Sequence, residues 1–401
     1  MKNALILSGG GARAAYQVGV LKALAEILPA DAHNPFPIIC GTSAGAINAL
    51  ALASHPENFR QAVVDLERVW RSLTPEQIYL SSLPALGGSL LRLGASLFNE
   101  GAGRSRPLAL LNNSPLREWI DKTIQFENIE KAITNGDLEA VCVTAMGYSS
   151  GESVSFFQGH PRLTKWRRVR RVGFPCRLNA DHLLASSAIP TVFPSVFISR
   201  EYFGDGALRQ LAPISPALHM GADRIFVIGV SGNRNPVHWR RKPLPKHSPS
   251  MAQIMGHMLN SAFVDSLEGD IEHLDRINEL LKLIPDEVRE EALLRPVDNL
   301  IISPSEPLDR IAGQKIRYIP PMLRFLLRTV GATAKGGGAT AASYLLFTPS
   351  FCGTLIDLGY KDAIWEREGI ERFFSSKPTE VATGNRFWSL SNFKNPFERQ
   401  P

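Results

Sequence analysis

Apolar residues along the first fifty positions come as short solid runs followed by longer periodic stretches. Ala4-Leu5-Ile6-Leu7 is unbroken and short, the signature of a buried strand, and Val18, Leu21, Leu24, Ala25 and Leu28 then recur at helical spacing. The pattern repeats. Phe36-Pro37-Ile38-Ile39-Cys40 suits a second buried strand, and Ala46-Ile47-Asn48-Ala49-Leu50-Ala51-Leu52-Ala53 suits a second helix. Two strand–helix units in succession predict a parallel connection and an α/β class. Residues 57–135 read as mainly helical. Leu138–Ala145 and Ser153–Phe157 read as strands paired around Gly147–Gly151, and Val196-Phe197-Ile198 with Tyr202-Phe203 as further strand. Met251 to Ile284 has long helical periodicity through Ile254, Met258, Phe263, Leu267, Ile271, Leu274, Ile277 and Leu281, stopped by Pro285. Asn299–Ser303 is positioned to return a strand to the sheet. Residues 307–373 are helical in patches, broken at Gly336-Gly337-Gly338, and no internal repeat occurs.

Composition adds limits more than identity. With 401 residues, 44% of them hydrophobic and 20% charged, the chain has ordinary globular values and ample material for a large core. No run reaches the ~18–20 apolar residues needed to span a bilayer. Cys40, Cys142, Cys176 and Cys352 are scattered without metal-ligand spacing and fit a reducing compartment. The chain opens on a strand without a basic-then-apolar leader. These features point to the cytoplasm, with leaderless export left open.

The net charge of +6 is unevenly spread. Arg162, Lys165, Arg167, Arg168, Arg170, Arg171 and Arg177 form one basic stretch without an acid, interleaved with Trp166 and Phe174. Arg240, Arg241, Lys242 and Lys246 form another, beside Trp239 and several prolines. Without them the remainder is net negative. Such segments suit peripheral contact with an anionic membrane, at about 1 kcal/mol per basic residue near the surface; a solvated face is the plain alternative. No nucleic-acid motif accompanies the charge, and no nucleic acid is expected. Leu83 to Phe98, with Leu86, Leu90, Leu91, Leu93 and Leu97 broken by Gly87, Gly88 and Gly94, reads as an apolar cap or interfacial flap, or as a buried hairpin.

Three short motifs carry candidate chemistry. Gly41-Thr42-Ser43-Ala44-Gly45 sits between the second strand and its helix, where a sharp turn would expose the Ser43 hydroxyl above the sheet edge. Ser8-Gly9-Gly10-Gly11-Ala12-Arg13 follows the first strand, and consecutive glycines at a helix start present bare N–H groups to a phosphate or an oxyanion. Asp205-Gly206-Ala207 follows strand-like residues and offers an inward carboxylate, although alone it reads as an ordinary Asp-Gly turn. The glycine loop also resembles a dinucleotide-binding turn. That reading lacks the third glycine, at Ala14, and its second strand runs straight into the serine turn.

In this order the motifs resemble those of the patatin-like phospholipases, with a glycine-rich oxyanion loop, a Gly-x-Ser-x-Gly elbow and a later Asp-Gly-Ala/Gly. Leu184-Ala185-Ser186-Ser187-Ala188-Ile189-Pro190 through Pro194 resembles the family's approach to its aspartate, and Pro213 through Ile228 the helix and strand beyond it. The resemblance covers residues 1–232, and more weakly Tyr344–Phe347 and Leu355–Tyr360. It implies a three-layer α/β/α patatin-like fold with a mainly parallel central sheet, plus a largely helical C-terminal extension. The expected organisation is a catalytic core over 1–232 with a cap at 83–106, a basic proline-rich linker at 233–250, a helical region at 251–375 packing on the core, and a polar tail at 376–401.

The resemblance also implies a lipid acyl hydrolase of phospholipase A or lysophospholipase type. Ser43 would attack an ester while Asp205 takes its proton, with no histidine, metal or cofactor required. Burial would have to raise the Asp205 pKa for this to work near neutrality. Backbone N–H groups of Gly10 and Gly11, joined by Ala12, would form the oxyanion hole, with Gly9, Gly41, Gly45, Gly206 and Ala207 shaping the motifs. Arg13 either binds a phosphate headgroup or caps and solvates the helix start. Two alternatives stay open: a histidine triad using His182 or His219, and a lipid-binding or regulatory protein that keeps the fold with little turnover.

Overall fold

The computed structural model describes residues 1–82, 86–89, 91, 109–231, 248, 250–285, 287–288, 295–329 and 339–375. The cap at 83–106 (apart from 86–89 and 91), the 233–250 linker (apart from 248 and 250), the Gly336–Gly338 break and the 376–401 tail lie outside the described residues.

The expected strand–helix units are present. Strand β1 (Asn3–Leu7) leads to α1 (Ala15–Ile27), and β2 (Ile38–Thr42) to α2 (Ala44–Ala53). After α3 (Phe59–Ser72), α4 (Ser114–Thr123) and α5 (Phe126–Asn135) come β3 (Ala140–Gly147), β4 (Ser153–Gly159), β5 (Trp166–Arg168) and β6 (Arg171–Pro175). Helix α6 (Ala180–Ser186), the hairpin β7 (Val196–Ile198)–β8 (Glu201–Asp205), α7 (Ser215–His219) and β9 (Arg224–Ile228) follow. The C-terminal part comprises α8 (Met251–Asn260), a π-helical turn (Ser261–Asp265), α9 (Ser266–Lys282), β10 (Asp298–Ile302), α10 (Leu308–Lys315), α11 (Pro321–Thr329), α12 (Ala339–Ser343), α13 (Pro349–Trp365) and α14 (Arg367–Phe374).

All ten strands join one sheet of order β10-β9-β1-β2-β3-β4-β6-β5, with β8 also pairing β3 and β7 pairing β8. The run from β10 to β3 is parallel throughout, and β4 turns back antiparallel to β3. Period-two alternation in these strands makes the layers. Leu5, Leu7, Ile39, Val141, Val143, Phe226 and Ile228 face the helices of the larger core, among them α1, α2, α3 and α13. Ala4, Ile6, Ile38, Cys40, Ala140, Cys142, Ile225 and Val227 face α7 and α9 in a second core. Full burial of each large aliphatic side chain contributes about 1.5–3 kcal/mol, so each face strongly specifies register.

That register decides where the chemistry collects. Leu7 pairs with Gly41, and Thr42 with Thr144, so β1, β2 and β3 end at one edge of the sheet. The glycine loop, Ser43 and the Ala145–Asp205 pair emerge together there, at the carboxyl ends where α/β sheets place their sites. The C-terminal region belongs to the same body: β10 extends the parallel sheet, and the Tyr16 hydroxyl on α1 donates to Asp362 Oδ2 on α13 at 3.0 Å. The four cysteines are free thiols. Among the described residues no helix is long and apolar enough to cross a membrane.

Two elements differ from the sequence expectations. The long periodic stretch after Met251 is interrupted by the π-helical turn. The basic stretch after Arg162 folds into the β5–β6 hairpin at the sheet edge, with Arg162 bonded to Glu139 and Arg167 to Glu152. Trp166 does not face outward with these basic residues. It stacks between Phe157 and His219, at centroid distances of 4.9 and 5.0 Å, while Phe174 is half-exposed.

Candidate active site

Ser43 occupies the one-residue bend between β2 and α2, at φ 54° and ψ −130°. A side chain other than glycine held there costs about 1–3 kcal/mol, which the surroundings must offset. Part of the support is close packing at Gly45. A Cβ added there would lie 2.3 Å from the Leu7 carbonyl oxygen, so only glycine lets α2 begin against the end of β1. The rest is hydrogen bonding. The Ser43 N–H donates to Ser186 Oγ at 2.8 Å, and Ser186 in turn donates to the Thr144 carbonyl at 2.6 Å.

Asp205 ends β8 and is fully buried. Its Oδ2 accepts from the Ser43 hydroxyl at 2.7 Å, and its Oδ1 accepts from the Ala207 N–H at 3.0 Å, where Gly206–Leu208 make a short 3-10 turn. The Asp205 N–H donates to the Ala188 carbonyl at 2.9 Å. One segment, Ser186 to Ala188, therefore holds both Ser43 and Asp205 by their backbones. Burial pushes the Asp205 carboxyl up to about 7, with the Ser43 hydroxyl and Ala207 N–H opposing in part. At neutral pH such a carboxylate sits where a general base works well.

The glycine loop turns at Gly10 into the 3-10 segment Gly11–Ala14 and then into α1. Gly11 takes φ 55°, and a Cβ there would meet the Tyr344 carbonyl at 2.2 Å, so glycine is required on both counts. The Ala12 N–H donates to that same carbonyl at 3.1 Å. Among the described residues no acceptor takes the Gly10 or Gly11 N–H. Buried amides tie this loop to α2. Gln17 Nε2 donates to the Ser8 carbonyl at 2.8 Å, Asn48 Nδ2 to Gln17 Oε1 at 2.9 Å, and Trp70 Nε1 to Asn48 Oδ1 at 2.8 Å. Such a satisfied buried network stiffens the parts it joins.

Arg13 is buried and fully engaged. Its guanidinium donates to Ser343 Oγ at 2.7 Å, Asn260 Oδ1 at 3.1 Å and the Thr340 carbonyl at 3.4 Å, and lies 4.2 Å from the Tyr344 ring centroid. In this conformation it ties the loop to the C-terminal helices. The two histidines that bracket Asp205 in sequence lie elsewhere. His182 bonds Asn179 and packs edge-on to Phe156, while His219 bonds the Ser215 carbonyl and stacks on Trp166. Among the described residues no cluster of three His, Cys, Asp or Glu side chains could hold a metal.

Sequence reasoning missed Ser186, Thr144 and Gln210, whose amide bonds both Thr42 Oγ1 at 2.6 Å and Thr144 Oγ1 at 3.3 Å. Ser186 lies within the segment that resembles the family's approach to its aspartate, but nothing in that segment assigns its hydroxyl a partner. Sequence reasoning also missed Phe263, which is buried against the glycine loop. A Cβ on Gly9 would lie 2.8 Å from Phe263 Cδ1 and 3.1 Å from Ser43 Cβ.

The arrangement brings together a serine hydroxyl, a buried carboxyl that accepts its hydrogen bond, and a glycine loop whose Gly10 and Gly11 N–H groups meet no acceptor among the described residues, a set of groups chemically suited to acyl transfer. A family model described as Patatin-like phospholipase matches residues 5–218. A protein of Pseudomonas aeruginosa (strain BWHPSA011 / Pa011) named cGAMP-activated phospholipase is 31% identical over 218 residues, covering 54% of this chain and 55% of that one. One of the same name from Escherichia coli (strain TW11681) is 29% identical over 215 residues, covering 51% of each. The chain thus spans about half the length of the curated relatives it matches. The crystal structure of VipD from Legionella pneumophila aligns with 92% of this chain and 67% of that one. Its identity is 11% and its TM-score 0.31, too weak a likeness to bear on function.

Proposed function

Because this chain belongs to the patatin-like phospholipase family, we propose that it is a lipid acyl hydrolase working through Ser43 and Asp205. The observation that carries the proposal is the 2.7 Å bond from the Ser43 hydroxyl to a fully buried Asp205 carboxyl raised to about 7. Ser43 Oγ attacks the ester carbonyl carbon and its proton passes to Asp205 Oδ2. Charge on the carbonyl oxygen is met by the N–H groups of Gly10 and Gly11; Ala12 can join only if its bond to Tyr344 opens. Collapse breaks the ester bond, and the leaving alcohol takes the proton from Asp205. The acyl group remains on Ser43. Water then attacks it, giving its proton to Asp205, and the fatty acid leaves as Ser43 is reprotonated.

A phospholipid or lysophospholipid is the substrate class proposed, reached by peripheral contact with an anionic membrane. The names of the relatives extend the proposal to activation by cGAMP. The test is fatty-acid release from phosphatidylglycerol–phosphatidylcholine vesicles, lysophospholipid and acylglycerol, with and without cGAMP. The wild type should release fatty acid and Ser43→Ala should lose it by about 10³-fold or more. Equal release by both proteins refutes the nucleophile. Silence of the wild type on every lipid in both conditions favours a lipid-binding protein on this fold.

A further inference from the structure

We infer that α8 is a membrane-docking lid, whose seating on a lipid surface draws Phe263 away from Ser43; the inference rests on the lipid-hydrolase reading above. Met251, Ile254, Met255 and Met258 recur at helical spacing, on one stripe of α8. All four are exposed, Met251 at 60% and Met258 at 64%. Such a stripe on a surface helix marks an interaction face, and α8 carries no acidic, lysine or arginine residue to oppose burial in lipid. The opposite side is anchored: a Cβ on Gly256 would lie 3.0 Å from Thr340 Cβ of α12. The occupant follows from charge and substrate. In sequence Arg240, Arg241, Lys242 and Lys246 come just before α8, a basic lead that complements anionic headgroups.

The helix runs directly into the π-helical turn that bears Phe263, and π-helical turns mark strained, often functional positions. Phe263 is buried against Gly9 beside Ser43, and Ser43 itself is only 2% exposed. The cavity on the Phe263 side, bounded by Ser8, Val230 and Phe263 and not lined by Ser43, measures about 10 Å³, room for one water at most. The arrangement is latched at the end of α8. Asn260 Oδ1 accepts from both Arg13 and the Tyr344 hydroxyl, at 3.1 and 2.9 Å, and the Phe263 and Tyr344 rings lie 5.1 Å apart. Moving α8 therefore moves Phe263 and loosens Tyr344, whose carbonyl holds the Ala12 N–H.

The test uses the full chain, a fluorophosphonate probe that reports access to Ser43, and vesicles of phosphatidylglycerol and phosphatidylcholine. Vesicles should accelerate labelling of the wild type about tenfold. A variant carrying Met251→Glu and Met258→Glu should bind vesicles about tenfold more weakly and lose the acceleration. Without vesicles it should label at the wild-type rate, since both side chains face solvent. Phe263→Ala, with folding checked by circular dichroism, should label fast without vesicles. Labelling that vesicles leave unchanged, or an acceleration that survives in the double variant, overturns the lid. So does a wild-type dimer in light scattering that the double variant splits, because a second copy would then cover the stripe. No labelling in any protein or condition is a different result: it overturns the hydrolase reading, and the lid with it.

Discussion

Replacing Asp205 with asparagine should strengthen the fold at alkaline pH while removing the proposed base. The wild-type carboxyl sits at about 7 in the folded protein against an ordinary 3.8, and burial is the main cause. The folded state therefore holds this proton over a range where the unfolded chain has released it. Stability from this group is full below about pH 4 and is lost as pH rises through about 7, the reverse of an ion-paired carboxylate. At about 1.4 kcal/mol per pH unit, the difference amounts to roughly 4 kcal/mol by pH 8. Asparagine carries no charge to desolvate. Its Oδ1 can still accept from Ala207, and its Nδ2 can donate to Ser43 Oγ across the present 2.7 Å contact, so the local geometry survives. Urea unfolding of both proteins at pH 5, 6.5 and 8 reads the effect. Measured from their common value below about pH 4, Asp205→Asn should already be the more stable by about 1.6 kcal/mol at pH 5, widening to roughly 4 kcal/mol at pH 8. Parallel stabilities across that range would show that Asp205 holds no proton near neutrality. Its assignment as the base would then lose its physical ground.

Other consequences are equally direct. The kcat/KM for a soluble ester should rise through a single ionisation near 7 and stay level above it, as ionised Asp205 is the active form; a profile without that inflexion contradicts the assignment. Ser186→Ala removes the acceptor of the Ser43 N–H, and should lower kcat by about 10–100-fold with KM little changed. Ser186→Thr, which keeps the hydroxyl, should recover most of the loss; a fall in KM alone or no rescue would argue against positioning. His182→Gln and His219→Gln should each retain turnover within about threefold of wild type, since neither ring contacts Ser43 or Asp205; a loss of about 10³-fold in either would restore a histidine triad.

The frame of the site was legible because its signals are local. A glycine on each side of Ser43, set between an apolar run and a helical period, marks the bend that the structure builds. Short apolar runs set off by turn residues likewise mark β3 and β4, which begin or end within two residues of the positions read from the sequence. Contacts made across the chain were not legible. Ser186 matters through a bond to a residue 143 positions away, and nothing in its own neighbourhood reports that. The β5–β6 hairpin was hidden because its strands are short and Arg167 and Arg168 put charge on both faces of β5, erasing the alternation. The π-helical turn leaves no glycine or proline to mark it, so Met251 to Ile284 reads as one unbroken helix. Arg13 read as a headgroup ligand or a cap of the helix start because its partners, Ser343 and Asn260, belong to the C-terminal helices.

The account stands most directly on the identity of the nucleophile. The protein would be treated with a fluorophosphonate in the presence of lipid vesicles and digested, and the modified peptide sequenced by mass spectrometry. The account predicts a single adduct on Ser43, absent in Ser43→Ala and formed much more slowly in Asp205→Asn. An adduct on another serine, or labelling of Ser43 at the same rate without the Asp205 carboxylate, would contradict it.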